Sequence, residues 1–356
     1  MMDSLSRDDL HLYLPNDTAD WERRHVQGEV PSRWPYGLDQ LQVPGRALRS
    51  SVLNDGLAGL AAKRLRFKSS SSESREAVTW DEYTATKFYL ATGRRPIATG
   101  VIWFTDWLLR RDNFVHSTMA RTVLRGVDRL WTLGFAQSEL LREALGRSDE
   151  VSTLLFGVDP GFFNYSEIPN EKIVFTAGND PDRDIEGTLQ IARTVRKIAA
   201  DVQFVIQTSA PVSSEAGIEI VGSMKHTEIR DMYRRASVVL VNTRPNTHIS
   251  GMTVALEAFS SGRPVVITDS IGMDEYVRDA SLRFSPGDTD SAVGRLLSLL
   301  DDREEAARLG RWGRSEVETT FNTTRMAADL SSILSDRVNA SASAGLHVRS
   351  SMPDGA

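Results

Sequence analysis

The chain has 356 residues, 40% apolar and 25% charged, a formal net charge of −6 and no cysteine. Its length favours two domains over a single core. The acidic balance argues against a nucleic-acid binder that works by neutralising phosphates, and the absence of cysteine excludes disulfides, thiolate nucleophiles and cysteine zinc sites. The opening residues MMDSLSRDDLHLYLPND are acidic and lack a long apolar core, so they do not read as a secretory signal. No run approaches the ~20 apolar residues of a membrane span. The expectation is a cytoplasmic protein with no transmembrane segment, and peripheral contact with a membrane surface is compatible with it.

In the N-terminal half, strands are predicted at 10–14, 77–80, 97–104, 129–133 and 151–157, and helices at 46–66, 82–91, 116–127 and 137–146. The connections are irregular and rich in Trp and Pro, as in EVPSRWPYGLDQL (29–41), and KSSSSESRE (68–76) reads as a solvated loop. The stretch NYSEIPNEK (164–172), where charge, Asn and Pro169 replace periodic apolar residues, reads as the linker. Beyond it the rhythm is clear. Strand-like runs at 173–178, 203–209, 218–222, 238–243, 264–268 and 282–286 alternate with helical patterns at 184–200, 226–236 and 252–261, and two further helices lie near 289–301 and 303–319. Short β-branched runs alternating with helices predict parallel βαβ units, hence an α/β fold with doubly wound sheets. After about Leu334 the tail is poor in apolar residues and is expected to be disordered.

The stretch HISGMTVALEAFSSGRPVV (248–266) carries the chemistry. The preceding run VVLVNT ends at the carboxyl edge of a sheet, where open α/β folds bind ligands. The first amides of the following helix have no intrahelical partner and lie at the positive end of its dipole. Small residues at Ser250 and Gly251 let a phosphate approach them. Glu257 lies about one turn inside, within reach of whatever hangs from the phosphate, and Gly262 stops the helix. The plainer alternative is a structural helix whose Glu257 pairs with a local arginine or caps a neighbouring amide.

The segment HISGMTVALEAFSSGRPVVITDSIGMDEYV (248–277) resembles the nucleotide-sugar site of retaining GT-B glycosyltransferases, specifically family 4. RLWTLGFAQSELLREALG (129–146), STLLFGVDPGFF (152–163), IVFTAGNDPDRD (173–184) and SMKHTEIRDMYRRASVVLVNT (223–243) fall in that family's order. The resemblance spans roughly 125–320 and implies two Rossmann-like domains facing across a cleft. The expected division is an acceptor-side domain at 1–168, a nucleotide-sugar domain at 169–320, a helix at 321–336 packing back on the first domain, and a tail at 337–356. By resemblance Glu257 bonds the ribose hydroxyls, while Gly251, Met252 and Thr253 present amides to the diphosphate. Arg183, with Gly178 and Asn179 in the loop before it, takes the place of the phosphate clamp, where a guanidinium fork suits a diphosphate. Its plainer alternative is a surface arginine paired with Asp180, Asp182 or Asp184. Where the family has a first Glu, eight residues before Glu257, this chain has Ile249, which leaves three alternatives: His248 or the Ser250 hydroxyl takes over the sugar side, the donor sugar is bound differently, or transfer is impaired. Glu275 matches the acid of the family's Gly-x-x-Glu turn.

On the acceptor side, Asp106 in IATGVIWFTDW (97–107) is the candidate to orient a hydroxyl, the alternative being a helix N-cap. Trp107 reads as a sugar platform or as core, and Asp81 and Glu82 as helix capping. Asp180-Pro-Asp182 and Asp288-Thr-Asp290 are Asp-x-Asp triplets, but neither follows an N-terminal nucleotide-binding strand, so no metal is expected. The expectation is a retaining hexosyltransferase without a resident cofactor. Its partners are a UDP- or GDP-sugar and a hydroxyl acceptor, with no nucleic acid. The alternatives are another GT-B enzyme such as a nucleotide-sugar epimerase, or a degenerate, non-catalytic nucleotide-sugar-binding module.

Overall fold

The computed structural model describes residues 9–53, 76–110, 114–278 and 281–335. Its first half alternates β1 (Leu10–Leu14), α1 (Thr18–Val26), β2 (Leu48–Val52), β3 (Glu76–Thr79), α2 (Glu82–Thr92), β4 (Ala98–Gly100), α3 (Phe104–Arg110), α4 (Phe114–Leu124), β5 (Arg129–Thr132), α5 (Phe135–Leu145) and β6 (Ser152–Thr153). The strands form one sheet in the order β2-β1-β3-β4-β5-β6, parallel throughout.

The second half runs β7 (Ile173–Thr176), α6 (Ile185–Ile198), β8 (Gln203–Gln207), β9 (Ile218–Val221), α7 (His226–Arg235), β10 (Val238–Val241), α8 (Met252–Ser260), β11 (Val265–Thr268), α9 (Asp274–Val277), β12 (Ser281–Phe284), α10 (Thr289–Asp301) and α11 (Arg303–Thr319). Its parallel sheet has the order β12-β11-β10-β7-β8-β9. The α/β fold with two doubly wound sheets is therefore as expected. A last helix, α12 (323–335), lies against the first half, where Ser331 Oγ accepts from the Gln42 amide at 3.0 Å and Gln40 Nε2 donates to Thr323 Oγ1 at 3.2 Å.

The physical causes are local. VVLV of β10 and VVIT of β11 are buried at every position, because helices cover both faces of a parallel sheet and leave no polar face to alternate with. In α6, Thr188, Ile191, Ala192 and Val195 form a buried stripe at helical spacing, and Asp184 caps the helix by accepting from Gly187 N at 3.1 Å. Helix α8 is buried nearly all round because α11 closes over it. That approach needs small residues: a Cβ on Gly310 would stand 2.2 Å from the Gly262 carbonyl oxygen. Truncating Phe259, which packs fully buried under Gly313, costs about 3–5 kcal/mol on the usual scale for core aromatics.

One expected element is corrected. The helix predicted from 46 is, over Leu48–Val52, the edge strand β2, paired only with β1 among the described residues; the rest of that prediction (54–66) lies outside them. The solvated loop over 68–75 and the tail after 335 also lie outside the described residues.

Candidate functional site

In the second sheet the chain leaves β7 toward β8 on one side and returns to β10 on the other, so the topological switch lies between β7 and β10. The loops leaving these two strands are 177–184 and 242–251, which contain most of the sequence candidates. They are tied together: Asp184 N donates to Asn242 O at 3.0 Å and Arg244 N to Asp182 O at 2.8 Å. This pairing carries Arg183 inward. The residue is 7% exposed, and among the described residues its Nε and Nη1 have no hydrogen-bond partner. Burial presses its guanidinium below the ordinary arginine value, opposed by the charges of Asp180, Tyr233 and Glu257. A surface ion pair, the plainer alternative, does not describe it.

Two glycines leave room for this side chain. A Cβ at Gly178 would stand 2.7 Å from Arg183 Nε, and one at Gly251 would stand 2.9 Å from Nη1. Gly251, at φ 91°, is the N-cap of α8 and has no side chain with which to cap the amides that follow. The Met252 amide differs from expectation: it donates to Ile249 O at 3.1 Å, closing the turn that starts the helix. Asn179 also turns away, its Oδ1 accepting from Ser209 N at 2.6 Å. Ser250 is buried, and its amide donates to Asn246 Oδ1 at 2.9 Å.

Glu257 lies on α8 one turn beyond Thr253, and both line a pocket of about 380 Å3 between the two halves. Its Oε2 accepts from the Tyr233 hydroxyl at 2.9 Å. Burial pushes the Glu257 carboxyl up to about 7, against the pull of the Tyr233 bond and the Arg183 charge. Tyr233 was not among the sequence candidates. Only Met232 and Tyr233 of α7 are buried, and an aromatic on the buried face of an otherwise polar helix gives no sequence signal that its hydroxyl orients an acid.

Asp106 and His248, the two catalytic candidates, meet each other from opposite halves. His248 Nδ1 lies 2.5 Å from Asp106 Oδ2, and Nε2 lies 2.9 Å from Asp180 Oδ2. The Trp103 ring sits 4.3 Å from the imidazole, Thr247 N donates to Asp106 Oδ1 at 2.9 Å, and Thr247 Oγ1 donates to Thr105 Oγ1 at 2.8 Å. Burial alone would lower the His248 value, but the hydrogen bonds and charges of Asp106 and Asp180 overcome it and hold it at about 9, an imidazolium at neutral pH. Asp180 is held down at about 2, where His248 outweighs its burial. Among the described residues Asp106, Asp182 and His248 bring ligand atoms within 4.8 Å of one another. The 2.5 Å between Nδ1 and Asp106 is a hydrogen-bond distance, and both ring nitrogens face carboxylates.

Ile249 holds a left-handed backbone at φ 56°, a strained conformation for a β-branched residue. Its side chain points across to the first half: a Cβ on Gly134 would stand 2.6 Å from Ile249 Cδ1. Glu275 makes a related contact, its carboxylate accepting from the Phe135 amide at 2.9 Å at the start of α5. The Tyr276 hydroxyl donates to Leu133 O at 2.5 Å and accepts from Phe156 N at 2.9 Å. These residues dock the halves beside the site. The remaining acceptor-side candidates have structural uses. Trp107 is core, Asp81 caps α2 through Thr84 N at 2.7 Å, and Glu82 accepts from the Ile102 amide at 2.9 Å.

Comparisons with known proteins agree with this architecture. Residues 171–302 match the family described as Glycosyl transferases group 1. Sulfoquinovosyl transferase SQD2 of Arabidopsis thaliana is 25% identical over 183 residues, 46% of this chain and 35% of that protein, so the chain spans only about a third of that relative. Sucrose-phosphate synthase from Thermosynechococcus elongatus superposes with a TM-score of 0.70 at 15% identity, covering 93% of this chain and 100% of that one. Anabaena HepE, solved in complex with UDP and glucose, gives 0.68 at 13% identity over 91% and 99% of the respective chains. Among the described residues no helix is long and apolar enough to cross a membrane.

Proposed function

From a chain of GT-B architecture whose residues 171–302 match the group 1 glycosyl transferases, we propose a retaining glycosyltransferase that moves a hexose-type sugar from a UDP- or GDP-sugar to a hydroxyl acceptor. The products belong to polysaccharide, glycolipid or glycoconjugate biosynthesis, in the cytoplasm. The observation that carries the reading is Arg183, a buried guanidinium with unpartnered N–H groups beside the uncapped start of α8. A diphosphate supplies the charge and acceptors both features lack within the protein. Glu257, oriented by Tyr233, takes the ribose hydroxyls. UDP bound to Anabaena HepE supports the same ligand class for this chain.

In the reaction the bond from the anomeric carbon to the leaving phosphate oxygen breaks and a bond to the acceptor oxygen forms. The acceptor proton passes to the departing phosphate. His248, held as an imidazolium with both ring nitrogens on carboxylates, is no base, and the charge that stabilises the leaving diphosphate is that of Arg183. Asp106 fixes His248 from the first half, so docking of the halves completes the site. The reaction is read as metal-independent, and turnover in excess chelator tests that point.

A second reading, a nucleotide-sugar-binding module without turnover, has one observation in its favour: Ile249 stands where the resemblance has a Glu and packs an apolar side chain toward Gly134 of the first half. A thermal-shift screen over nucleotide sugars followed by donor hydrolysis separates the two. A donor at about 100 times its Kd adds ~2.7 kcal/mol of stability. Nucleoside diphosphate release that Arg183→Ala and Glu257→Ala abolish supports the transferase. Binding without release under any acceptor supports the module, and no shift from any nucleotide defeats both.

A further inference from the structure

The pocket beyond Glu257 has a wall from the other half of the molecule. Thr253, Glu257 and His226 line it on one side, and Asn16, Trp21 and Tyr36 on the other. Asn16 lies just past β1, whose neighbour β3 marks the switch point of the first sheet, so the pocket joins the ligand-binding edges of both sheets. Thr253 and Glu257 share one face of α8, so the pocket continues from the helix start past the acid. A nucleotide with its phosphates at Arg183 and its ribose at Glu257 therefore delivers its base into this space.

Trp21 has no evident packing reason to be there. Helix α1 buries none of its residues, yet the Trp21 ring stands edge-on to His226, 5.3 Å away at 81°, with the Arg24 guanidinium 5.6 Å from its centroid. Its indole N–H is buried and, among the described residues, has no hydrogen-bond partner. Burial and the Arg24 charge hold His226 below the ordinary histidine value, so at neutral pH the ring is uncharged and offers one donor and one acceptor. Asn16 offers both kinds of group as well. A planar aromatic face beside an indole donor, a neutral imidazole and an amide suits a heterocyclic base, whose edge takes up donors and acceptors and whose face stacks.

Resting on the donor reading above, we propose that Trp21 is a donor-specificity residue: its indole packs against the nucleobase, so a side chain of the N-terminal half helps to read the base. The test is calorimetric titration of wild type, Trp21→Ala and Trp21→Phe with UDP, GDP and inorganic diphosphate. On the scale of base–aromatic stacking, Trp21→Ala weakens the preferred nucleotide by about tenfold or more and Trp21→Phe by less than about threefold. The preference between UDP and GDP shrinks in Trp21→Ala, and inorganic diphosphate binds it as it binds wild type. Unchanged nucleotide affinity in Trp21→Ala overturns the proposal, as does an equal loss for inorganic diphosphate. Wild type that binds neither nucleotide removes the donor reading itself, and this proposal with it.

Discussion

The two halves are built alike and use their polar groups differently. Each is a parallel six-stranded sheet with a switch point, between β1 and β3 in one and between β7 and β10 in the other. After β3 the acids serve the fold: Asp81 caps α2, and Glu82 holds the Ile102 and Trp103 amides. After β7 and β10 the chain buries a guanidinium with unpartnered N–H groups and starts a helix on a glycine that caps nothing. At its switch point the first half uses its acids within the fold, whereas the second leaves hydrogen-bonding capacity unused beside α8, and a buried polar group without a partner is costly to keep.

Arg183→Ala breaks this contrast most directly. Removing a charge-assisted fork costs about 3 kcal/mol of donor binding, roughly a hundredfold in kcat/KM, while Arg183→Lys recovers part of it. Melting temperature is the control, because deleting an unpartnered buried cation should stabilise the free protein. Glu257→Gln ranks next, with a donor KM about tenfold higher and a smaller penalty on a 2′,3′-dideoxy donor.

Two pH effects sharpen the comparison. The Glu257 carboxyl titrates near 7, so the wild-type donor KM rises as pH falls below 7, and Glu257→Gln flattens that limb. His248 acts with the opposite sign. Its value is raised from 6.5 to about 9, so the stability it lends is complete below 6.5, declines as pH rises, and is gone above about 9. Thermal melts of wild type across that range should therefore be steeper in pH than those of His248→Gln. The smallest expected effect is that of Tyr233→Phe, about 1 kcal/mol through one lost hydrogen bond, seen in donor KM and not in kcat.

Much of the second half was legible because its strands are buried on both faces and read as unbroken β-branched runs such as VVLV and VVIT. Strand β2 was not: LRSSV is an edge strand without a fully buried position, and its polar residues imitate the start of an exposed helix. In the candidate site, Gly251 and Glu257 were legible from their places at a helix start and one turn inside it, and Arg183 through the resemblance of 173–184 to a known family's loop. The Asp106–His248 pair joins residues 142 positions apart, and no local pattern reports that they touch. Tyr233 stayed hidden because an aromatic on a buried helix face looks like core whatever its hydroxyl does. Ile249 was noticed only as a departure; its left-handed backbone and its contact with Gly134 depend on the docking of the halves.

The central claim is that Arg183 binds the diphosphate of a nucleotide donor. A double cycle tests it, comparing nucleoside diphosphate with nucleoside monophosphate on wild type and on Arg183→Ala. If the guanidinium holds the terminal phosphate, removing either partner makes the other nearly worthless, and the coupling exceeds about 1.4 kcal/mol, a factor of ten. Strictly additive losses would mean that Arg183 does not hold the terminal phosphate, and an inorganic diphosphate affinity unchanged by Arg183→Ala would contradict the account of this site altogether.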